Sequence, residues 1–185
     1  MEHTVTVLVT EPRPKGAVVK DHVGHDASSQ LDMQILAAET REQIEAVRQL
    51  FEEYWNSFGF TPCFQNFGEE VAQLPGAYAP PDGRLALAMV EDTPAGCIAL
   101  RRFDEQRAEA KRLYVRPAFR RLGIGRSLMD WVIAEARRAG YRELVGDTMP
   151  VMTTALEMYD RMGFERIEAY AESPTPGAVY LRLTL

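Results

Sequence analysis

The stretch Leu113 to Ser127, LYVRPAFRRLGIGRS, limits the folds open to this chain more than any other. An apolar strand runs into a proline-marked bend and then into an arginine-rich loop. The loop carries two glycines, Gly123 and Gly125, and opens directly into a long amphipathic helix. Such a strand, loop and helix unit favours an anion at the helix start. Glycines let backbone approach a ligand, the first N–H groups of a helix lack partners within it, and the helix dipole places roughly half a positive charge there.

Charge narrows the class of anion. The 185 residues carry a net charge of -6, yet residues 101–142 hold 12 Arg and Lys against 5 Asp and Glu, a local +7 that leaves -13 for the remainder. A basic segment around a glycine loop suits a small polyanion, whereas acidic surroundings repel a long phosphate backbone, so no nucleic-acid partner is expected. At 46% hydrophobic residues the chain can bury the core of one ordinary domain. No apolar run reaches the roughly 18 residues of a spanning helix, and no basic start followed by an apolar run marks a leader, so no membrane partner is expected. Two cysteines, Cys63 and Cys97, read as small apolar residues in a reducing cytoplasm. His22 and His25 have HxxH spacing without a further ligand cluster, so no metal is expected.

Residues 1–32 read as an extension, partly disordered or weakly docked: Val5, Val7 and Val9 alternate as in a short strand, and Pro12, Pro14, Gly16 and Gly24 then break the chain. Residues 33–185 form a single domain. MQILAAE from Met33 is a strand, and Thr40 with Gln43 is a capping box. It opens a helix whose Ile44, Val47, Phe51, Tyr54 and Phe58 recur at helical spacing up to Gly59. A short helix from Gly68 to Leu74 precedes two strands, Arg84 to Glu91 and Cys97 to Phe103, joined by the turn DTPAG. The strand Arg107 to Val115 puts Glu109, Lys111, Leu113 and Val115 on one face and Ala108, Ala110, Arg112 and Tyr114 on the other. Then come a helix from Gly125 to Ala139 with Leu128, Val132 and Ala136 on one stripe, and a buried strand from Leu144 to Thr148. A helix capped by Thr154 with Glu157 carries Tyr159 and ends at Gly163, before strands Glu165 to Tyr170 and Ala178 to Leu185. The fold class is α/β (α+β), a mixed, mostly antiparallel sheet of about six to seven strands flanked by about four helices. One right-handed parallel crossover lies around residues 108–148.

Three ligand classes compete for the loop. A P-loop has glycine where Arg120 stands and lysine where Arg126 stands. A dinucleotide fingerprint needs a small residue at Leu128, and Glu143 falls at the start of its strand, not the end where a ribose-binding acid belongs. The third class is coenzyme A. Arg120, Gly123 and Gly125 in RRLGIG meet the [QR]xxGxG/A phosphate motif of the GNAT superfamily of N-acetyltransferases, which residues 33–185 resemble over essentially their whole length. The preceding KRLYVRPAFR, the later YDRMGF and the closing PTPGAVYLRL match in order and spacing.

That resemblance implies an acyl-CoA N-acyltransferase fold with a central splay in its sheet. It also implies acetyl-CoA as co-substrate, and direct acetyl transfer to a primary amine with both substrates bound. Backbone amides of Arg121, Leu122, Gly123, Ile124, Gly125 and Arg126, flanked by Arg120 and Ser127, would hold the pyrophosphate. The backbone of Leu113, Tyr114 and Val115 would pair with the pantetheine arm, and one of its N–H groups would stabilise the oxyanion. An amine near pKa 10 needs a proton acceptor. The resemblance assigns that to Glu109, acting through water, against the plainer reading of an exposed strand glutamate paired with Lys111 or Arg101. Tyr159 matches the family's tyrosine that protonates the departing thiolate. Met152 stands where many members have a pantetheine-binding asparagine, a contact it cannot replace, although Asp147 or Thr148 offers a polar group nearby. Residues 33–80 hold 7 acids against 2 bases, which points to a cationic acceptor: a small-molecule amine or a peptide amine. A non-catalytic, CoA-binding sensory module is the alternative reading, a thioesterase or longer-acyl transfer is another, and a homodimer is left open.

Overall fold

The computed structural model describes residues 32–57, 67–171 and 177–185. The expected extension falls outside them except for Asp32, as do His22, His25, Phe58, Gly59, Cys63 and the start of the closing motif. In chain order the elements are β1 (Met33–Ala37), α1 (Arg41–Asn56), α2 (Phe67–Ala72), β2 (Arg84–Val90), β3 (Thr93–Arg102), β4 (Arg107–Val115), α3 (Ile124–Arg138), β5 (Glu143–Thr148), α4 (Thr153–Arg161), β6 (Glu165–Ile167) and β7 (Val179–Thr184). The strands form one sheet in the order β1-β2-β3-β4-β5-β7-β6. Every neighbouring pair is antiparallel except β4 with β5, the two strands joined by the α3 crossover. The expected mixed sheet is therefore present, and no helix among the described residues is long and apolar enough to cross a membrane.

Local chemistry sets several boundaries. The N–H of Gln43 donates to Thr40 Oγ1 at 3.2 Å and the N–H of Thr40 donates to Gln43 Oε1 at 3.0 Å, completing the capping box that starts α1. The hairpin is tighter than DTPAG suggested. β3 already begins at Thr93, which pairs with Val90, and Glu91 takes the positive φ of 54° that so short a turn requires. α4 begins at Thr153 with Met152 as its N-cap and no side-chain cap, so the Thr154 and Glu157 pair does not play that part. β6 stops at Ile167, short of the expected Tyr170.

Apolar residues fill both faces of the sheet. On one, α3 buries Leu128, Val132 and Ala136 against Ile98, Leu100, Ala108 and Leu144. On the other, α1 and α2 bury Val47, Leu50, Phe51 and Val71 against Leu85, Leu87, Cys97, Ala99 and Tyr114. Cys97 is a buried free thiol, as its apolar reading expected.

The expected alternation along β4 is wrong beyond Lys111. Ala99 pairs with Lys111 but Cys97 pairs with Tyr114, so β4 holds one residue more than β3 across that step. Arg112, at φ 60°, is that residue, a β-bulge. Glu109 and Lys111 therefore share the α1 and α2 face with Arg112 and Tyr114, while Ala108 and Ala110 share the α3 face with Leu113 and Val115. The carbonyl of Arg112 accepts a weak hydrogen bond from Cys97 Sγ at 3.6 Å.

Candidate active site

β4 and β5 are paired only over Arg107 with Glu143, Ala108 with Leu144, and Glu109 with Val145. Beyond these the two strands diverge, leaving one edge of β4 from Ala110 onward without a strand partner among the described residues. A cleft of about 800 Å³ opens there, lined by β4 from Ala110 to Val115, by β5 from Val145 to Thr148, and by the N-terminal turns of both α3 and α4.

Nine of the eleven residues expected to hold the cofactor line this cleft: Leu113, Tyr114, Val115, Arg120, Arg121, Gly123, Ile124, Gly125 and Arg126. Leu122 is exposed and Ser127 is not at the surface of the cleft, and the Ser127 N–H already donates to the Gly123 carbonyl at 3.0 Å. The two glycines serve different ends. Gly123 is the N-cap of α3 at φ 81°, a backbone conformation that favours glycine. Gly125 has no such need: a Cβ there would meet only Val115 Cγ2 at 3.8 Å and Met158 Sδ at 3.9 Å, both ordinary contacts. Packing in the protein alone tolerates a side chain at Gly125, so its absence keeps room at the floor of the cleft.

Among the described residues the lining holds six basic residues, Lys111, Arg112, Arg120, Arg121, Arg126 and Arg161, and one acid, Asp147. Arg120 donates to the Val115 carbonyl at 3.1 Å, and Arg126 pairs with Asp130 one helical turn on. The start of α4 was missed by sequence reasoning. Met152, Thr153, Thr154 and Ala155 line the cleft, and with no side-chain cap the first amides of α4, which lack partners within the helix, are available as a second set of donors. Thr148 does not replace the missing asparagine outright, because its hydroxyl points at Met152 Sδ, 3.3 Å away.

Glu109 is paired with both Arg101 and Lys111, as its plain reading expected, but it is buried where that reading had it exposed. Arg101 donates from Nε to its Oε2 at 2.6 Å, with Nη2 in ion-pair contact with the same oxygen, and Lys111 Nζ and the Tyr170 hydroxyl donate to its Oε1 at 3.2 and 3.1 Å. Burial alone would raise its pKa, but the charges of Lys111 and Arg101 outweigh it and hold the carboxyl below its ordinary value. Glu109 is not among the lining residues. Lys111 links it to the cleft, with Nζ 3.6 Å from Asp147 Oδ1. Tyr159 lines the cleft from α4 against Phe164, and burial together with Tyr54 and Asp147 pushes its hydroxyl well above the usual tyrosine range. It is thus a protonated donor at neutral pH. Across the cleft Tyr54 of α1, pushed up to about 12 chiefly by burial, packs against Tyr114 with ring centroids 5.8 Å apart.

Two of the seven acids behind the expectation of a cationic acceptor are taken up by arginines. Glu70 of α2 grips Arg112 through two hydrogen bonds of 2.9 and 2.6 Å and accepts another from Tyr78, and Glu53 of α1 takes Arg116 in the same bidentate way at 2.9 and 2.7 Å. The acidic surplus of this helical segment is therefore smaller at the cleft than in the sequence. Among the described residues no cluster of three or more His, Cys, Asp or Glu is placed to hold a metal ion.

A parallel strand pair that splays beside an uncapped, glycine-gated helix start defines an acyl-CoA N-acyltransferase fold. The sequence model of the acetyltransferase (GNAT) family matches residues 44–164, and the chain belongs to that family. An N-acetyltransferase of Schizosaccharomyces pombe, itself uncharacterized, is 34% identical over 156 residues, spanning 83% of this chain and 96% of its own. An acetyltransferase structure from Streptococcus agalactiae superimposes with a TM-score of 0.70 at 21% identity, over 83% of this chain and 98% of that one. A GNAT family acetyltransferase from Elizabethkingia anophelis, solved with acetyl-CoA bound, gives 0.53 at 20% identity over 83% and 98%.

Proposed function

We propose that this chain transfers an acetyl group from acetyl-CoA to a primary amine, with both bound in the cleft between β4 and β5. The observation that carries the reading is Gly125, a residue that packing does not require to be small, at the floor of a cleft rimmed by two helix starts and six basic side chains. Amides from Arg121 to Arg126 would hold the pyrophosphate, and the open edge of Leu113 to Val115 would pair with the amide groups of the pantetheine arm. When bound, acetyl-CoA supplies an activated acetyl thioester. Tyr159 keeps its proton until the thiolate leaves, and an N–H of β4 stabilises the oxyanion. Glu109, fixed by Arg101, Lys111 and Tyr170, belongs to the network that removes the amine proton.

The acceptor proposed is a cationic small-molecule or peptide amine, drawn by the acids of α1 and α2 that remain exposed, and a cytoplasmic location suits such substrates. A non-catalytic CoA-binding module on the same fold is the competing reading. Mass spectrometry of ligand released from purified protein, calorimetry with acetyl-CoA, and CoA release over a panel of amines separate the two. Micromolar binding with turnover supports the enzyme, binding without turnover on any amine supports the module, and no binding removes both. Equal rates on cationic and neutral amines would remove the charge preference alone.

A further inference from the structure

Two carboxylates lie on the α1 and α2 side of the β4 and β5 junction, and their surroundings differ. Glu109 sits where the strands are still paired, with a side chain 4% exposed and both oxygens taken by Arg101, Lys111 and Tyr170. Asp147 sits two residues past the last paired position on β5, lines the cleft and has a side chain 23% exposed. Among the described residues its one ion-pair partner is Lys111, at 3.6 Å, longer than a direct hydrogen bond. Resting on the acetyl-transfer reading, we propose that Asp147 is the group that takes the proton from the attacking amine. Glu109 is then a positioning residue that acts on it through Lys111.

The groups around Asp147 fit this division. Lys111 faces it from β4 and Tyr180 is its register partner on β7, while its charge is felt by Tyr54 of α1, Tyr159 of α4 and Tyr170. The lone acid of the cleft lining among the described residues thus shares that space with the tyrosine that keeps its proton. An amine arriving from the α1 side reaches Asp147 without displacing any of the three hydrogen bonds that occupy Glu109. Lys111 holds the Asp147 carboxylate in place, and Glu109 in turn holds Lys111.

The step balances as follows. The ammonium of the acceptor gives one proton to the Asp147 carboxylate, and the neutral amine attacks. A C–N bond forms as the thioester C–S bond breaks, and the thiolate takes the Tyr159 proton. The second proton lost by nitrogen on collapse restores Tyr159, and Asp147 returns its proton to solvent. The net change is one acetamide, one thiol and one proton released per ammonium consumed.

The test compares wild type with Asp147→Asn, Glu109→Gln and Lys111→Met, using acetyl-CoA with spermidine, glucosamine or a lysine peptide as acceptor. Asp147→Asn is expected to lower kcat by about 100-fold or more, with the amine KM within about threefold and the acetyl-CoA Kd unchanged by calorimetry, while Glu109→Gln loses less than about tenfold. Lys111→Met is expected to move the acid limb of kcat/KM upward. A loss in Asp147→Asn confined to KM, a larger loss in Glu109→Gln, or an unmoved acid limb of kcat/KM in Lys111→Met overturns the assignment. Wild type that binds acetyl-CoA but acetylates none of the acceptors overturns the transfer reading itself and the assignment with it.

Discussion

The two ends of the β4 and β5 pair are a few residues apart and do opposite things. At the paired end, Ala108 and Leu144 lie side by side with no exposed surface and belong to the core under α3. At the open end the same strands show Arg112, Tyr114, Asp147 and Thr148 to a cleft. The closed end fixes the distance from which the open end diverges, so stability and binding are assigned to different residues of one strand pair.

Four substitutions test that separation. The largest effect is expected for Gly125→Glu, at the open end. A side chain and a negative charge at the cleft floor should weaken acetyl-CoA binding by more than about 1,000-fold, roughly 4 kcal/mol, with the melting temperature little changed, as calorimetry and thermal unfolding would show. At the closed end, Leu144→Ala should cost about 3 kcal/mol of stability in urea unfolding and leave acetyl-CoA affinity of the folded fraction intact. A loss of affinity there as large as for Gly125→Glu would break the separation. Tyr159→Phe should lower kcat about 30-fold, near 2 kcal/mol, against an acetyl-CoA Kd within about twofold; equal losses would make Tyr159 a packing residue.

The smallest effect is one of pH. Burial would raise the Glu70 pKa, but the hydrogen bonds and charge of Arg112 hold it below its ordinary value of 4.5. A carboxyl depressed in the folded state contributes stability that is complete above the unfolded pKa and lost as pH falls through the folded one. Stability should therefore decline below about pH 4.5, and less steeply in Glu70→Gln, as urea midpoints measured across that range would record.

What was legible in the sequence was what depends on near neighbours. The capping box at Thr40, the stripe Leu128, Val132 and Ala136, and the glycines of RRLGIG are patterns of a few residues, and each element they mark is present. What was missed depends on distant pairing. Arg112 meets Glu70 across 42 positions and Arg116 meets Glu53 across 63, so an acidic helix segment that looks open in sequence is partly closed by basic residues of β4 and the bend after it. The bulge left one trace: Lys111 and Arg112 are adjacent charges in a strand that otherwise alternates, and the expected alternation ran through them unbroken. The place of Asp147 at the cleft depends on where the β4 and β5 ladder ends, which no local pattern records.

The extra residue at Arg112 works as a change of phase within β4. Before it, even-numbered side chains point toward α3; after it, odd-numbered ones do, and the strand never leaves its ladder with β3. A single inserted position thus lets one strand be read in two frames, the first completing a core and the second presenting Tyr114 and its own backbone edge to a ligand. Deleting Arg112 would put the whole strand in one frame.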